Sequence, residues 1–315
     1  MASTQNGTSQ NVTSQNLTSE HHSEIADEES SETFNLAIES MSMTDDSYKY
    51  SNPDPDHHFY TDHVMMCEPT AFYLNEETIE DNAFMKRVSY TKEESSRIAL
   101  QQFHDMVENL RRNNIKVTSY KQQADHLPDS VFPDWFTTVR QPGNASEGVF
   151  FTYPMKTESR RGEYNPEIVK ELGANYGSVI AHQPAIAGQS LEGKGSLVLD
   201  NKLRKVYCCI SERACLETVQ SFVDTLNQHC QKPYRLVQIN GFDPVTKTRI
   251  YHTDVMFAML DKHIVCCLDA IVDPIEKEAL LREMQEGGRK VVNISNYEMT
   301  QMCGNMVQVK DGKTG

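Results

Sequence analysis

The chain has 315 residues, a formal net charge of −15 and 38% hydrophobic residues. No run approaches the roughly 18 consecutive apolar residues of a membrane helix, and Met1–Gln15 lacks the basic start and apolar stretch of a secretory signal. The basic stripe that nucleic acid requires is also missing. The sequence therefore predicts a cytoplasmic protein without a membrane or nucleic-acid partner.

Residues 1–60 differ in composition from the rest of the chain. They hold 11 acidic residues and one basic residue, and so carry −10 of the total charge. Such a charged, Ser/Thr/Gln/Asn-rich segment buries too little apolar surface to offset the entropy lost on ordering. We predict a disordered acidic and polar tail over residues 1–60 and one folded domain over residues 61–315. An interaction protein that works through the tail is one alternative function.

From residue 61 onward, apolar runs and amphipathic stretches recur in a fixed order. The first unit has an apolar run (Val64–Cys67), a helix (Thr91–Asn113) and a strand (Ile115–Ser119). Three units with the order strand, strand, helix, strand follow: Ser130–Thr138, Gly148–Tyr153, Asn165–Leu172 and Ser178–His182; Ser196–Asp200, Lys205–Ile210, Glu212–Cys230 and Arg235–Asn240; Thr253–Met259, Ile264–Leu268, Pro274–Glu286 and Lys290–Ile294. Met302–Val309 begins a further unit. A period of roughly 50–60 residues indicates repeated supersecondary units that bury their cores against each other.

The eight cysteines include two adjacent pairs, Cys208-Cys209 and Cys266-Cys267, that lie inside apolar runs. Neighbouring strand residues face opposite sides, so the members of a pair fill packing positions. We predict reduced thiols, as a cytosolic compartment maintains.

Two acidic residues have local surroundings that suit a cationic ligand. Asp134 lies among the bulky apolar residues of Phe132–Phe136, where a carboxylate can accept the planar fork of a guanidinium. A turn Asp that binds backbone amides is the alternative. Glu192 precedes Gly193 and Gly195, which permit close backbone approach to a ligand. An exposed Glu in a glycine turn explains the second string equally well.

His252 and Asp254 stand two residues apart, which places them on one face of the predicted strand. A His beside a carboxylate can serve as general acid and base. A structural His or a metal ligand are the alternatives, although no cluster has metal-ligand spacing, so we predict no metal and no cofactor. Arg160-Arg161 with Glu163 reads as a solvated charge run at a helix start.

A set of short strings follows in one order along Asp62–Val309. They are Pro69, Phe72, Asn75, Thr78, Asn82 and Phe84; Phe132-Pro133 with Trp135; Arg160-Arg161 with Glu163; Leu191-Glu192-Gly193 with Gly195–Asp200; Ser211–Ala214; Tyr251–Thr253; and Gly304–Met306. Their joint order resembles the pentein superfamily of arginine deiminases, amidinotransferases and dimethylarginine hydrolases. Within it, the likeness is nearest to the citrulline-utilisation hydrolases.

The resemblance implies an α/β propeller of five strand-strand-helix-strand modules about a pseudo-fivefold axis, with the fifth module incomplete. It implies a cysteine thiolate that attacks a guanidinium or ureido carbon of a small-molecule substrate. By resemblance, His252 is the general acid/base and Glu192 the carboxylate that orients it. Asp134 and Asp254 are the substrate-binding acids. An amidinotransferase is an alternative, and the sequence predicts no oligomeric state.

The chain departs from the family pattern in three places. Asp254 stands where citrulline hydrolases carry Asn, and a second carboxylate suits a cationic guanidinium better than a neutral ureido group. The loop at Asp134 is one residue shorter than usual. The family's nucleophilic cysteine follows the fifth module's helix, beyond Gly315, and Cys303 lies too early to match it. We therefore expect either a fragment of a hydrolase or a truncated, non-catalytic paralogue that binds a guanidino ligand.

Overall fold

The structure, a computed structural model, describes residues 61–80, 82, 84–141, 144–311 and 313. The predicted disordered tail, residues 1–60, lies outside the described residues, so that prediction stays open. Within the described ranges, no helix is both long enough and apolar enough to cross a membrane.

The first unit is a strand-helix-strand crossover. It comprises β1 (His63–Glu68), α1 (Lys92–Arg112) and β2 (Lys116–Lys121), with β1 and β2 parallel. Thr91 and Glu94 form a capping box that satisfies the free amides at the start of α1. Phe103 and Val107, four residues apart, are the buried face of this helix. The predicted apolar run, helix and strand of the first unit are confirmed, but in the described residues only one strand precedes α1, so the order strand, strand, helix, strand is not complete here.

The next three units share one sheet topology. The first contains β3 (Phe136–Gln141), β4 (Asn144–Thr152), α2 (Glu158–Gly162), α3 (Pro166–Gly173) and β5 (Ser178–Ala181). A one-turn helix, α4 (Gly193–Ser196), leads into β6 (Leu197–Asp200), β7 (Lys205–Cys209), α5 (Leu216–Asn227) and β8 (Arg235–Ile239). The last contains β9 (Phe257–Met259), β10 (His263–Cys266), α6 (Pro274–Gln285) and β11 (Lys290–Asn293), and α7 (Asn296–Thr300) follows it.

In each of these sheets the first two strands are antiparallel and the last two are parallel. A parallel pair needs a crossover connection, which the helices supply. The predicted order of strand, strand, helix, strand is thus confirmed in three units. The fold is a mixed α/β arrangement of small sheets, and its closure into a five-module propeller stays a prediction.

The segment around Thr253 corrects the predicted strand Thr253–Met259. Thr253–Val255 forms a 3₁₀ turn, and β9 begins only at Phe257. The Thr253 hydroxyl accepts a hydrogen bond from the Cys209 amide (2.6 Å) and donates one to the Ser196 carbonyl (2.5 Å). These buried contacts hold the chain in a turn, so His252 and Asp254 do not lie on one face of a strand as predicted.

Two smaller differences concern short elements of the fold. The short helix α2 was not predicted, and its start is capped by the Thr157 side chain, which accepts from the Arg160 amide. The predicted strand Met302–Val309 is reduced to a single parallel bridge between Thr61 and Val309 in the part of the chain that the structure describes.

The paired cysteines lie in the hydrophobic core as predicted, and all four are buried, free thiols. Cys208 packs with one buried cluster, together with Leu191 and Phe222, whereas Cys209 packs with another, together with Tyr207 and Phe257. The two side chains of the first pair therefore fill opposite sides of β7.

Candidate active site

Glu192 and His252 form a buried pair at the start of the third and fourth units. Glu192 Oε2 lies 2.8 Å from His252 Nε2, and neither residue is more than 5% exposed. Burial alone would raise the pKa of Glu192, but the hydrogen bond with His252 and the charges of His252, Arg160 and Arg213 lower it to about 2. The ionised carboxylate can only accept, so His252 Nε2 donates, and Nδ1 is the nitrogen left for other chemistry.

The backbone beside this pair depends on two glycines in α4. A Cβ on Gly195 would stand 2.3 Å from His252 Nδ1, and one on Gly193 would stand 1.9 Å from the Tyr153 ring. Both distances are far below van der Waals contact, so α4 can lie against the two rings only because these positions lack side chains. The predicted close backbone approach is real, although its neighbour is the histidine itself.

Asp134 lies on the other side of the imidazole. Its Oδ2 is 4.0 Å from His252 Nδ1 and accepts a hydrogen bond from Arg160 Nη2 at 3.1 Å. The same Arg160 nitrogen donates to the Phe132 carbonyl at 2.7 Å. The backbone amide of Lys194 also donates to the Asp134 carbonyl (3.3 Å), which ties this loop to α4. Asp134 is therefore a buried acid that pairs with an arginine, whereas the alternative was a turn Asp that binds backbone amides.

Arg160 and Glu163 correct the interpretation of a solvated charge run. Both side chains are buried, and Arg160 Nε lies 3.1 Å from Glu163 Oε1 and Nη1 lies 3.9 Å from Asp129 Oδ2. Burial raises the pKa of Glu163 to about 9, Arg160 opposes the rise, and Asp129, Asp134 and Glu192 add to it. Only Arg161 and Gly162, which lie between Arg160 and Glu163, are exposed as the interpretation required.

Asp254 completes the set of predicted acids through Lys194. Lys194 Nζ lies 3.4 Å from Asp254 Oδ2, with the two side chains 46% and 18% exposed. Burial raises the pKa of Asp254, Lys194 and His252 oppose the rise, and Asp134 adds to it. The pKa of Asp254 thus depends on the charges of both His252 and Asp134. The structure brings all four predicted side chains together, and their individual roles stay predictions.

Arg213 is a member of the site that the individual motifs did not reveal. Its Nη1 donates to Glu192 Oε2 at 3.4 Å, its Nη2 donates to the Thr78 carbonyl at 3.0 Å, and its guanidinium lies 4.6 Å from the Tyr251 ring centre. The only sequence signal was its place in the string Ser211–Ala214.

In the part of the chain that the structure describes, no group of three His, Cys, Asp or Glu residues could hold a metal ion.

Solved structures with a similar fold include an arginine dihydrolase and a dimethylarginine dimethylaminohydrolase. The N-terminal domain of ArgZ, an arginine dihydrolase from cyanobacteria, aligns with a TM-score of 0.59 and 18% identity over 79% of this chain and 81% of that one. Unliganded AgrE aligns with a TM-score of 0.58 and 17% identity over 79% of this chain. A dimethylarginine dimethylaminohydrolase carrying an S-methyl-L-thiocitrulline adduct aligns with a TM-score of 0.51 and 16% identity over 80% and 82%.

The chain spans about a third of full-length ArgZ and AgrE, at 33% and 32% of those chains. At these identities the likeness establishes the fold alone, which is the mixed α/β fold of the pentein enzymes. No curated protein sequence matches the chain.

The family follows from a sequence model. The model described as N,N dimethylarginine dimethylhydrolase, eukaryotic, matches residues 68–314. The chain belongs to this family. The predicted pentein superfamily is therefore confirmed, whereas the nearer likeness to citrulline-utilisation hydrolases stays a prediction.

Proposed function

We propose that this chain carries the substrate-binding and acid/base groups of a hydrolase that cleaves a C–N bond of a guanidino or ureido compound. The observation that carries the proposal is the 2.8 Å contact between Glu192 Oε2 and His252 Nε2, with Asp134 4.0 Å from Nδ1. Family membership supports the same reaction class, because the family is described by the hydrolysis of N,N-dimethylarginine. The N-terminal domain of ArgZ, which has a similar fold, is an arginine dihydrolase with structures bound to substrate and to product.

In the proposed reaction, His252 handles the proton of the departing amine. Glu192 holds Nε2–H and stabilises the imidazolium, so the second proton sits on Nδ1, the nitrogen nearer Asp134. A thiolate adds to the carbon of the substrate's planar group, and Nδ1–H protonates the amine as the C–N bond breaks. The neutral imidazole then takes a proton from the water that attacks the same carbon and releases the thiolate. Asp134 and Asp254 hold the planar, charged group of the substrate.

The attacking thiolate of the proposed mechanism is not assigned to any buried cysteine of the chain. Burial raises the pKa of Cys67 to about 12 and that of Cys209 to about 11. It likewise raises the pKa values of Cys208, Cys266, Cys267 and Cys303. A nucleophilic cysteine needs the opposite shift, since the thiolate is the reactive form.

The second candidate is a protein that binds a guanidino ligand without turnover. The two candidates share the binding acids and differ only in the chemical step. Ligand-dependent thermal stabilisation is expected from both, because any ligand that binds only the folded state raises the melting temperature.

The test is to incubate the full 315-residue chain with N,N-dimethylarginine, arginine, agmatine and citrulline, and to measure released amine or ammonia beside the melting temperature. Amine release that disappears in His252→Asn supports the hydrolase. Stabilisation without release supports the binder. Neither stabilisation nor release with any of the four compounds would overturn both.

A further inference from the structure

Three acids of the site are each paired with an arginine or a lysine. Asp134 pairs with Arg160 at 3.1 Å and Glu192 pairs with Arg213 at 3.4 Å. In both pairs every side chain is at most 8% exposed. Asp254 pairs with Lys194 at 3.4 Å, and here the cation is 46% exposed. The site therefore holds two enclosed cations and one that reaches solvent.

The backbone of Lys194 is held in place by its neighbours, whereas its side chain is partly exposed. Its Cα is fixed because the flanking Gly193 and Gly195 lie against the Tyr153 and His252 rings. Its amide is bound to the Asp134 carbonyl (3.3 Å). From this position the flexible four-carbon stem carries the ammonium to Asp254.

The charges around Lys194 favour this resting contact. Burial alone would lower the pKa of Lys194, but Asp254 and Asp134 more than offset that effect and raise it. The ammonium is thus attracted by both acids that the proposed function assigns to the substrate. An isolated ammonium makes single contacts, whereas a guanidinium can bind a carboxylate through two parallel N–H groups.

We propose that Lys194 is a tethered cation that occupies Asp254 in the empty site, so that a guanidinium ligand must displace it. The proposal rests on the proposed function, because it assigns Asp254 to the ligand. A cationic guanidino ligand loses affinity to this competition, while a neutral ureido ligand leaves the Lys194–Asp254 contact in place. Lys194 thereby narrows the preference of the site for charged over neutral substrates.

The experiment is calorimetric titration of the full chain with L-arginine and with L-citrulline. We compare the native chain with Lys194→Gln, the charge-retaining Lys194→Arg, and Lys232→Gln, which removes an exposed lysine elsewhere. We expect Lys194→Gln to bind arginine roughly tenfold more tightly, as loss of a partly screened charge near the ligand allows. Its citrulline affinity, and both affinities of Lys232→Gln, should equal those of the native chain. Lys194→Arg should not gain arginine affinity.

Each outcome bears on one proposal or on both. If the native chain binds arginine and Lys194→Gln binds it equally or more weakly, the tethered cation is wrong and the proposed function stands. If Lys194→Gln gains equally for arginine and citrulline, the lysine acts by steric exclusion, and the charge competition is wrong. If no protein binds either ligand, the proposed function fails and this proposal fails with it.

Discussion

The acids of the site differ in how their charge is held. Glu192 and Asp134 are buried and each is paired with a buried arginine, whereas Asp254 is partly exposed and is paired with a half-exposed lysine. A buried carboxylate without its cation is costly, so the arginine-held acids form part of the folded framework. An ion pair that is partly exposed contributes less to stability than a buried one. Asp254 is therefore the acid whose cationic partner a ligand can replace. We expect the two regions to respond differently to the same kind of substitution.

The largest effect should come from Arg160→Met. The change keeps the apolar stem but leaves Asp134, with Glu163 and Asp129 nearby, without its cation. We expect a loss of about 3–5 kcal/mol in the free energy of unfolding, measured by urea denaturation.

Arg112→Met is the matched control, because Arg112 pairs with Glu108 on the exposed face of α1. Its cost should stay within about 0.5 kcal/mol. Equal costs for the two variants would mean that the Asp134 region is not an enclosed ion-pair framework.

Gly195→Ala should have the next largest effect. The new Cβ would stand 2.3 Å from His252 Nδ1, so the ring must move away from Glu192. We expect a loss of about 1–3 kcal/mol in the free energy of unfolding, as for other overpacked positions. Gly173→Ala is the control, since its Cβ would stop 3.0 Å from one methyl group of the exposed Val179 side chain. A Gly195→Ala protein as stable as Gly173→Ala would contradict the close contact.

The pH dependence of stability should identify the Glu192 pair. The pKa of Glu192 is lowered from its ordinary 4.5 to about 2, so its contribution is complete above pH 4.5 and is lost as the pH falls towards 2. The stability difference between the native chain and Glu192→Gln should shrink by about 1 kcal/mol between about pH 6 and about pH 3.5.

The same stability difference between Glu and Gln at position 192 should also be measured in a chain that carries His252→Asn. This substitution removes the main favourable contact of the carboxylate, so the pH dependence due to Glu192 should weaken there. A difference that stays constant with pH in the native background would show that the carboxylate gains nothing from His252.

The smallest effect is expected at Lys194. Because its side chain is 46% exposed, Lys194→Gln should change the free energy of unfolding by less than about 0.5 kcal/mol in urea denaturation. A loss as large as that of Arg160→Met would place Lys194 in the framework and remove the contrast between the two regions.

The repeating units were predictable because strand and helix patterns depend on residues close in sequence. Alternating apolar runs located β7 and β8, and the amphipathic stripe located α1. The ordered strings also brought forward Glu192 and Asp134, which lie 2.8 and 4.0 Å from the His252 ring, and Asp254, which pairs with Lys194. Patterns of this kind carry no information on which polar residues are enclosed.

The errors come from contacts between distant parts of the chain. The 3₁₀ turn at Thr253 depends on the Cys209 amide and the Ser196 carbonyl, each more than 40 positions away. The burial of Arg160 depends on the loop at Phe132 and Asp134, 26 to 28 positions earlier. Only the assembled fold brings these partners together. The local sequence therefore predicted a strand at Thr253 and a solvated charge run at Arg160 instead.

The most direct measurement is calorimetric titration of the full chain and its Asp254→Asn variant with L-arginine, with Asp105→Asn on the exposed face of α1 as control. The account predicts that the native chain and the control bind arginine equally, and that Asp254→Asn binds it at least about tenfold more weakly, since a cation–carboxylate contact is lost. Equal affinity of Asp254→Asn and the native chain would contradict a guanidinium site at Asp254.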